Sequence, residues 1–220
     1  ADPGCGLAVL AHAILFAQNC YVNSNEEQRL RILPKVVSGE WIGGMCMTEP
    51  SAGTDVMGMK TSAKRDGDAY ILSGVKTFIT NGGIDEHTLG DIFIVYATTG
   101  EREISSFLVE KGMDGFRLGQ KWMDKLGMRA SYTTELVFEN VRVPVANRMG
   151  EEGEGTLHMM RNLEIERLTL PAQAPGIAQR ALQVMSVYPN ERKAFANPLP
   201  AFGQIQPFLP QTFADRPPAR

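Results

Sequence analysis

Between residues 40 and 145 short alternating runs recur, as in Asp91-Ile-Phe-Ile-Val-Tyr96, Ser105-Ser-Phe-Leu-Val109 and Thr134-Glu-Leu-Val-Phe138. Asp-Gly, Gly-Met-Asp-Gly and Asn-Gly-Gly turns separate them. Short runs with turn signals between them are strands, and this spacing predicts an antiparallel barrel or sandwich of about a hundred residues. On either side the period is helical. Leu7, Leu10, Ala11, Ile14, Leu15 and Gln18 follow helical spacing, and Asn25-Glu-Glu-Gln28 opens a second helix with its acids in the first turn. Pro34 or Gly39 is expected to close that part. His12 sits among apolar neighbours with no acidic or nucleophilic partner nearby, so it reads as a satisfied core histidine. Helical period returns at Glu151. The fold class is therefore α+β: an N-terminal helical segment over 1–39, a central β domain over 40–148 and a second helical segment over 149–220.

At 220 residues with 43% apolar content, the chain can bury a sizeable core in two packing units. A net charge of −3 gives no general attraction to nucleic acid or anionic membrane. The three cysteines, Cys5, Cys20 and Cys46, lack metal-ligand spacing, so no metal is expected and a reducing compartment fits. No unbroken run of about eighteen apolar residues occurs, which predicts no membrane insertion. The opening Ala1-Asp-Pro-Gly-Cys-Gly6 has neither signal-peptide nor transit-peptide character, so no address is expected.

Three stretches carry candidate chemistry. Met45-Cys-Met-Thr-Glu-Pro-Ser-Ala-Gly-Thr-Asp55 lies between an apolar run, Trp41 to Met47, and a strand-like run, Met57 to Lys64. Such a loop can aim backbone N–H groups and the Thr48 and Thr54 hydroxyls at a flat polar ligand or a phosphate, or it can be a plain turn. Tyr70 to Gly83 reads as two short strands joined at Ser73-Gly74 and closed by an Asn-Gly-Gly turn. Met159, Leu163, Glu166 and Leu170 are spaced by four, three and four, which places them on one helix face. Burial on that stripe would raise the Glu166 pKa and suit it to act as a base; an ion pair with Arg167 is the other reading.

The Thr48-Glu-Pro-Ser-Ala-Gly-Thr-Asp55 loop followed by Phe78-Ile-Thr-Asn-Gly82, in that order and at that distance, resembles the acyl-CoA dehydrogenase family. Lys125-Leu-Gly-Met-Arg129 and Phe138-Glu-Asn-Val-Arg-Val-Pro144 look like the family's middle β domain. Leu163-Glu-Ile-Glu-Arg-Leu168 is similar to the segment in which isovaleryl-type members carry the catalytic glutamate just before an arginine. The resemblance implies FAD-dependent α,β-dehydrogenation of a short branched-chain acyl-CoA. Glu166 would take the proton α to the thioester while hydride leaves the β carbon for flavin N5. By the same resemblance Met45, Cys46, Met47 and Thr48 hold the flavin ring, with Phe78, Ile79 and Thr80 at its other edge. Thr54 would meet the cofactor and the CoA arm, and Leu157, Glu164 and Arg167 would border the acyl-CoA path. Arg192, in Glu191-Arg-Lys-Ala-Phe195, would reach the FAD diphosphate across a subunit interface.

The resemblance further implies a homotetramer, electron transfer flavoprotein as acceptor, and a mitochondrial matrix or bacterial cytoplasmic setting. It implies a chain that begins midway through the N-terminal helical domain and stops inside the C-terminal bundle. Phe78 stands where Trp is commoner, Leu157 where isovaleryl-type members have Tyr, and Gly203 where Gln is usual. An oxidase-like relative, another acyl-chain length, or a non-catalytic fragment serving as an assembly piece are the other readings.

Nine of the thirteen prolines fall from Pro171 to Pro218, in segments that otherwise keep helical spacing, such as Phe202, Ile205, Gln206 and Leu209. A proline inside a helix costs about 3 kcal/mol. Pro171, Pro175, Pro189 and Pro207 therefore predict a departure from regular helix.

Overall fold

Asp2 accepts a hydrogen bond from the Gly4 N–H, and Pro3 occupies the first helical position, so the chain starts directly into helix α1 (Pro3–Leu10). The run continues through π-helical turns (Ala11–Gln18) into α2 (Asn19–Asn23). Helix α3 (Glu26–Val37) opens on a capping box between Asn25 and Gln28, as its sequence predicts. Pro34 lies inside α3, and the turn that ends it has Gly39 at φ 78°. The computed structural model describes residues 2–119 and 123–215 of the chain. Pro217 and Pro218 lie outside the described residues, as does the side chain of Leu209.

His12 accepts from the Gly43 N–H at Nδ1 and donates from Nε2 to the Val36 carbonyl, each over 3.0 Å. It is satisfied as expected, but half-buried rather than in the core. The helical run Pro3–Asn23 is long and apolar enough to cross a membrane by length and composition, which corrects the expectation of no such segment. His12, Gln18 and Asn19 interrupt the apolar run, so a count of unbroken apolar residues misses it. In the fold its Phe16, Asn19 and Cys20 are buried.

The strands are β1 (Gly43–Cys46), β2 (Ser62–Asp66), β3 (Ala69–Thr80), β4 (Ile92–Gly100), β5 (Glu103–Glu110), β6 (Phe116–Leu118), β7 (Thr133–Pro144) and β8 (Arg148–Met149). They form one eight-stranded sheet in the order β6-β7-β3-β2-β4-β5-β8, with β1 beside β4. The β1–β4 ladder and the Ser62–Thr98 contact of β2 with β4 are parallel, so the sheet is mixed rather than purely antiparallel. β1 uses one end of the β4 edge and β2 the other. The sheet curls on itself: Phe93 of β4 packs on Phe116 of β6 at 5.5 Å, and Tyr70 of β3 on Phe107 of β5 at 4.9 Å, although neither pair of strands is adjacent. Along β4, Phe93, Val95 and Ala97 face this enclosed core, while Ile92, Ile94 and Tyr96 face a second one shared with Phe16, Cys20, Ile32 and Val36.

β3 is one strand, not two. The expected junction at Ser73-Gly74 is a register shift within it, where a Cβ on Gly74 would overlap the Thr61 side chain. The strand-like run from Met57 instead opens as a 3₁₀ turn (Val56–Gly58), and β2 begins only at Ser62.

The chain divides into two compact units, Ala1–Ile165 and Glu166–Arg220. Helix α4 (Gly155–Glu191) runs through Pro171, Pro175 and Pro189, contrary to expectation. Proline keeps a helical φ, so the chain path survives. What is lost is the amide donor to the carbonyls of Arg167, Pro171 and Met185, four residues back. Regular helix does end after Glu191, in a hairpin of β9 (Lys193–Ala194) and β10 (Asn197–Pro198), a 3₁₀ turn (Leu199–Ala201) and α5 (Phe208–Asp215). Pro207 precedes α5 and Pro210 lies in its first turn, where no amide donor is needed.

At the hairpin tip Phe195 and Ala196 hold φ 47° and 61°, a pair of left-handed residues that a two-residue turn normally fills with Asn or Gly. Ala196→Gly is therefore expected to stabilise the hairpin by about 1 kcal/mol. An unchanged amide-exchange rate across Lys193–Pro198 would show that the tip carries no strain.

Candidate active site

The loop after β1 is held from beneath by a buried ion pair. Lys76, fully buried, donates to Glu49 Oε1 over 2.9 Å and to the Met47 carbonyl over 3.1 Å. Glu49 also accepts the N–H groups of Lys60 at 2.7 Å and Thr61 at 2.9 Å. Burial pushes the Glu49 pKa up, but the Lys76 charge and these donors outweigh it and hold the carboxyl below its usual range. Paired backbone bonds between Glu49 and Ala52 close the turn over Pro50 and Ser51, and Thr54 is exposed beyond it. Cys46 points into the core, where burial pushes its thiol pKa up, so it can offer a ligand only its backbone.

The second segment is the bulged end of β3. The register shift between Lys76 and Ile79 takes Thr77 out of the β7 ladder, and its N–H donates instead to the Thr48 carbonyl over 2.9 Å. This bond sets the loop and the strand end side by side. Phe78 then adopts φ 58° and turns its ring outward, 66% exposed. Ile79 is buried in the core and Thr80 is half-buried. Asn81, at φ 62°, donates to the Ala8 carbonyl over 2.9 Å and ties the strand to α1. Left-handed backbone costs a side-chain-bearing residue about 1–2 kcal/mol, and such strain gathers at functional sites. An outward aromatic ring on a strand end bonded to the loop, with Thr48 and Thr80 half-buried on those two segments, offers an apolar face and hydroxyl partners, which fits a flat heterocycle such as flavin.

The first turns of α4 belong to the same unit. Asn162 and Asn19 direct their amides at the Met45 sulfur, over 3.8 and 3.7 Å, and Met47 packs half-buried in the second core. Leu157 and Glu164 are exposed. His158 is buried, with Nδ1 2.8 Å from Ser106 Oγ and Nε2 3.7 Å from Glu154. Burial lowers its pKa below 6.5, with Glu154 opposing and Arg161 reinforcing. The unfolded chain therefore takes up this proton first. Stability is complete above pH 6.5 and falls as pH drops through the lower native value. The urea midpoint of the parent should drop between about pH 7.5 and 5.5, and His158→Gln should flatten that drop; equal drops would remove His158 as the cause.

In the second unit, Glu166 is half-buried. Burial raises its pKa, with Arg167 opposing, and no salt bridge joins it to Arg167 among the described residues. Arg167 and Arg192 are exposed. The structure thus brings Met45–Thr48 together with Phe78–Thr80. Sequence reasoning passed over Glu49, Lys76 and His158. A signal for Lys76 existed: Tyr70, Leu72 and Lys76 share the inward parity of one strand, and a lysine there needs a partner.

Residues 44–141 match the family described as acyl-CoA dehydrogenase, middle domain, and residues 153–209 match acyl-CoA dehydrogenase, C-terminal domain. The chain belongs to the acyl-CoA dehydrogenase family. It is 42% identical over 212 residues to the mitochondrial isovaleryl-CoA dehydrogenase of Pongo abelii, covering 94% of this chain and 49% of that relative. It is 43% identical over 201 residues to the short-chain-specific acyl-CoA dehydrogenase of Clostridium acetobutylicum, covering 90% of this chain and 52% of that one. The crystal structure of an acyl-CoA dehydrogenase complexed with FAD from Bacillus anthracis matches with a TM-score of 0.91 at 33% identity, over 98% of this chain and 36% of that chain. This acyl-CoA dehydrogenase chain spans about half the length of the curated relatives it matches. Its middle-domain match contains both the Thr48 loop and the Phe78 bulge, and its C-terminal-domain match contains Glu166 and Arg192.

Proposed function

We propose that this chain carries the flavin seat and the catalytic base of an FAD-dependent dehydrogenase acting on a short branched-chain acyl-CoA of the isovaleryl type. The observation that carries the reading is Glu166, a half-buried carboxyl directly before Arg167 whose pKa burial raises. A raised pKa makes the carboxylate a stronger base and brings it closer to working pH. Glu166 takes the α proton, and the electrons of that C–H bond form the Cα=Cβ bond. FAD, when bound, supplies the acceptor for the β hydride. The Met45–Thr48 backbone, the Thr48 and Thr80 hydroxyls and the Phe78 ring would hold the flavin, with Ile79 fixing the strand behind them. Thr54, Leu157, Glu164 and Arg167 would border the acyl-CoA, and Arg192 would meet the cofactor diphosphate of a neighbouring subunit in a homotetramer. Electron transfer flavoprotein is the acceptor that this reading expects, in a mitochondrial matrix or a bacterial cytoplasm.

The test is anaerobic bleaching of the flavin absorbance on adding isovaleryl-CoA to FAD-loaded protein. Glu166→Gln should keep FAD and slow bleaching by about 10²–10⁴-fold. A parent that holds FAD but bleaches with no short-chain acyl-CoA would sink the reading. A straight short-chain substrate is the second possibility, favoured by Leu157 in place of Tyr and by the short-chain-specific relative. Faster bleaching with butyryl-CoA than with isovaleryl-CoA would select it.

A further inference from the structure

We infer that the buried Lys76–Glu49 ion pair is a positioning device that sets the spacing and direction of the two segments proposed to seat FAD, and in this it rests on the FAD reading above. Lys76 Nζ meets three groups: Glu49 Oε1 at 2.9 Å, the Met47 carbonyl at 3.1 Å and the Met59 sulfur at 3.7 Å. Glu49 answers with two accepted backbone bonds, from Lys60 and Thr61. The pair thus joins the end of β1, the bulge of β3 and the segment entering β2.

Stability alone does not call for this arrangement. Well-packed apolar side chains of the same volume usually replace a buried ion pair at little cost. They could not donate to the Met47 carbonyl or accept the Lys60 and Thr61 amides, and those bonds fix which way the loop backbone faces. Thr77, the residue after Lys76, donates its N–H to the carbonyl of Thr48, the residue before Glu49, and the next residue is the outward Phe78. The ion pair therefore lies beside the one backbone bond that joins loop and bulge among the described residues.

The double variant Glu49→Gln/Lys76→Met removes both charges and keeps one side-chain acceptor for the loop amides. With the thermal midpoint close to that of the parent, amide exchange at Thr77 is expected to accelerate about tenfold or more. The FAD dissociation constant should rise by about the same factor, with a shifted visible absorption maximum for the flavin that still binds. Unchanged Thr77 exchange, FAD affinity and flavin spectrum would overturn the inference. Glu49→Asp, which retains both charges but shortens the reach by one methylene, gives the same readouts should the double variant fail to fold, and parent-like values there overturn it equally. If the parent itself holds no FAD, the functional reading fails, while Thr77 exchange still decides whether the pair positions the loop.

Discussion

Lys76→Met is expected to lower the stability of the first unit by about 3–5 kcal/mol, because it strands the Glu49 carboxylate in the core without its counter-charge. A domain's whole stability is about 5–15 kcal/mol, so much of it goes with this one ammonium. The sign with pH distinguishes this cause from lost packing. In the parent the Glu49 pKa is depressed, so the pair's contribution is present above the ordinary value of 4.5 and is lost as pH falls through the native value. In the variant a buried, unpaired Glu49 gains a proton readily, so acid relieves it. The gap between the two proteins in urea unfolding should therefore close as pH falls toward 4.5 and below. A deficit under about 1 kcal/mol at neutral pH, or one that does not narrow in acid, would show that water or another cation compensates Glu49.

The opposite sign is expected from the prolines of α4. Pro175→Ala should stabilise the second unit by about 2–3 kcal/mol: about 3 from the restored amide donor and relieved ring clash, less about 0.4–1 for the freedom the unfolded chain regains. Pro171→Ala should do the same. The two changes should not add simply, because the carbonyl that Pro175 leaves unserved is that of Pro171 itself. Helical circular dichroism through a thermal ramp reads both, and a rise in midpoint too small for 1 kcal/mol would mean that the helix has already relaxed around the rings.

What was legible in the sequence was local. Asn25 and Gln28 announced their capping box, the turn dipeptides marked the sheet, and Glu166 stood out because Met159 and Leu163 form the apolar stripe on which it sits. The motif residues Met45–Thr48 and Phe78–Thr80 could be paired before any coordinates only through the family resemblance; the residues alone read as a turn and a strand end. The long-range features were not legible. Nothing in Gly43–Cys46 says that it will run parallel to β4, and nothing in Ala11–Gln18 says that the helix there takes π turns. The Lys76–Glu49 pair is a contact between residues 27 apart, and periodicity reports which face a residue occupies, not who waits there. The prolines of α4 misled for a physical reason. Helix propensity counts the lost bond, whereas proline's own φ remains helical, so the penalty weakens the helix without redirecting the chain.

From Ile92 to Ala97, β4 has no side that looks at water. Ile94 and Val95 are neighbours in sequence, yet one belongs to the core under the helices and the other to the core inside the curled sheet. Such a strand acts as a shared wall: neither room can lose its packing without stripping that wall on the other side. The helices of Pro3–Val37 and the strands should therefore exchange their most protected amides, those of β4 among them, in a single opening event rather than in two. A one-residue slip of β4 would trade the occupants of both rooms at once, so its register is guarded twice over.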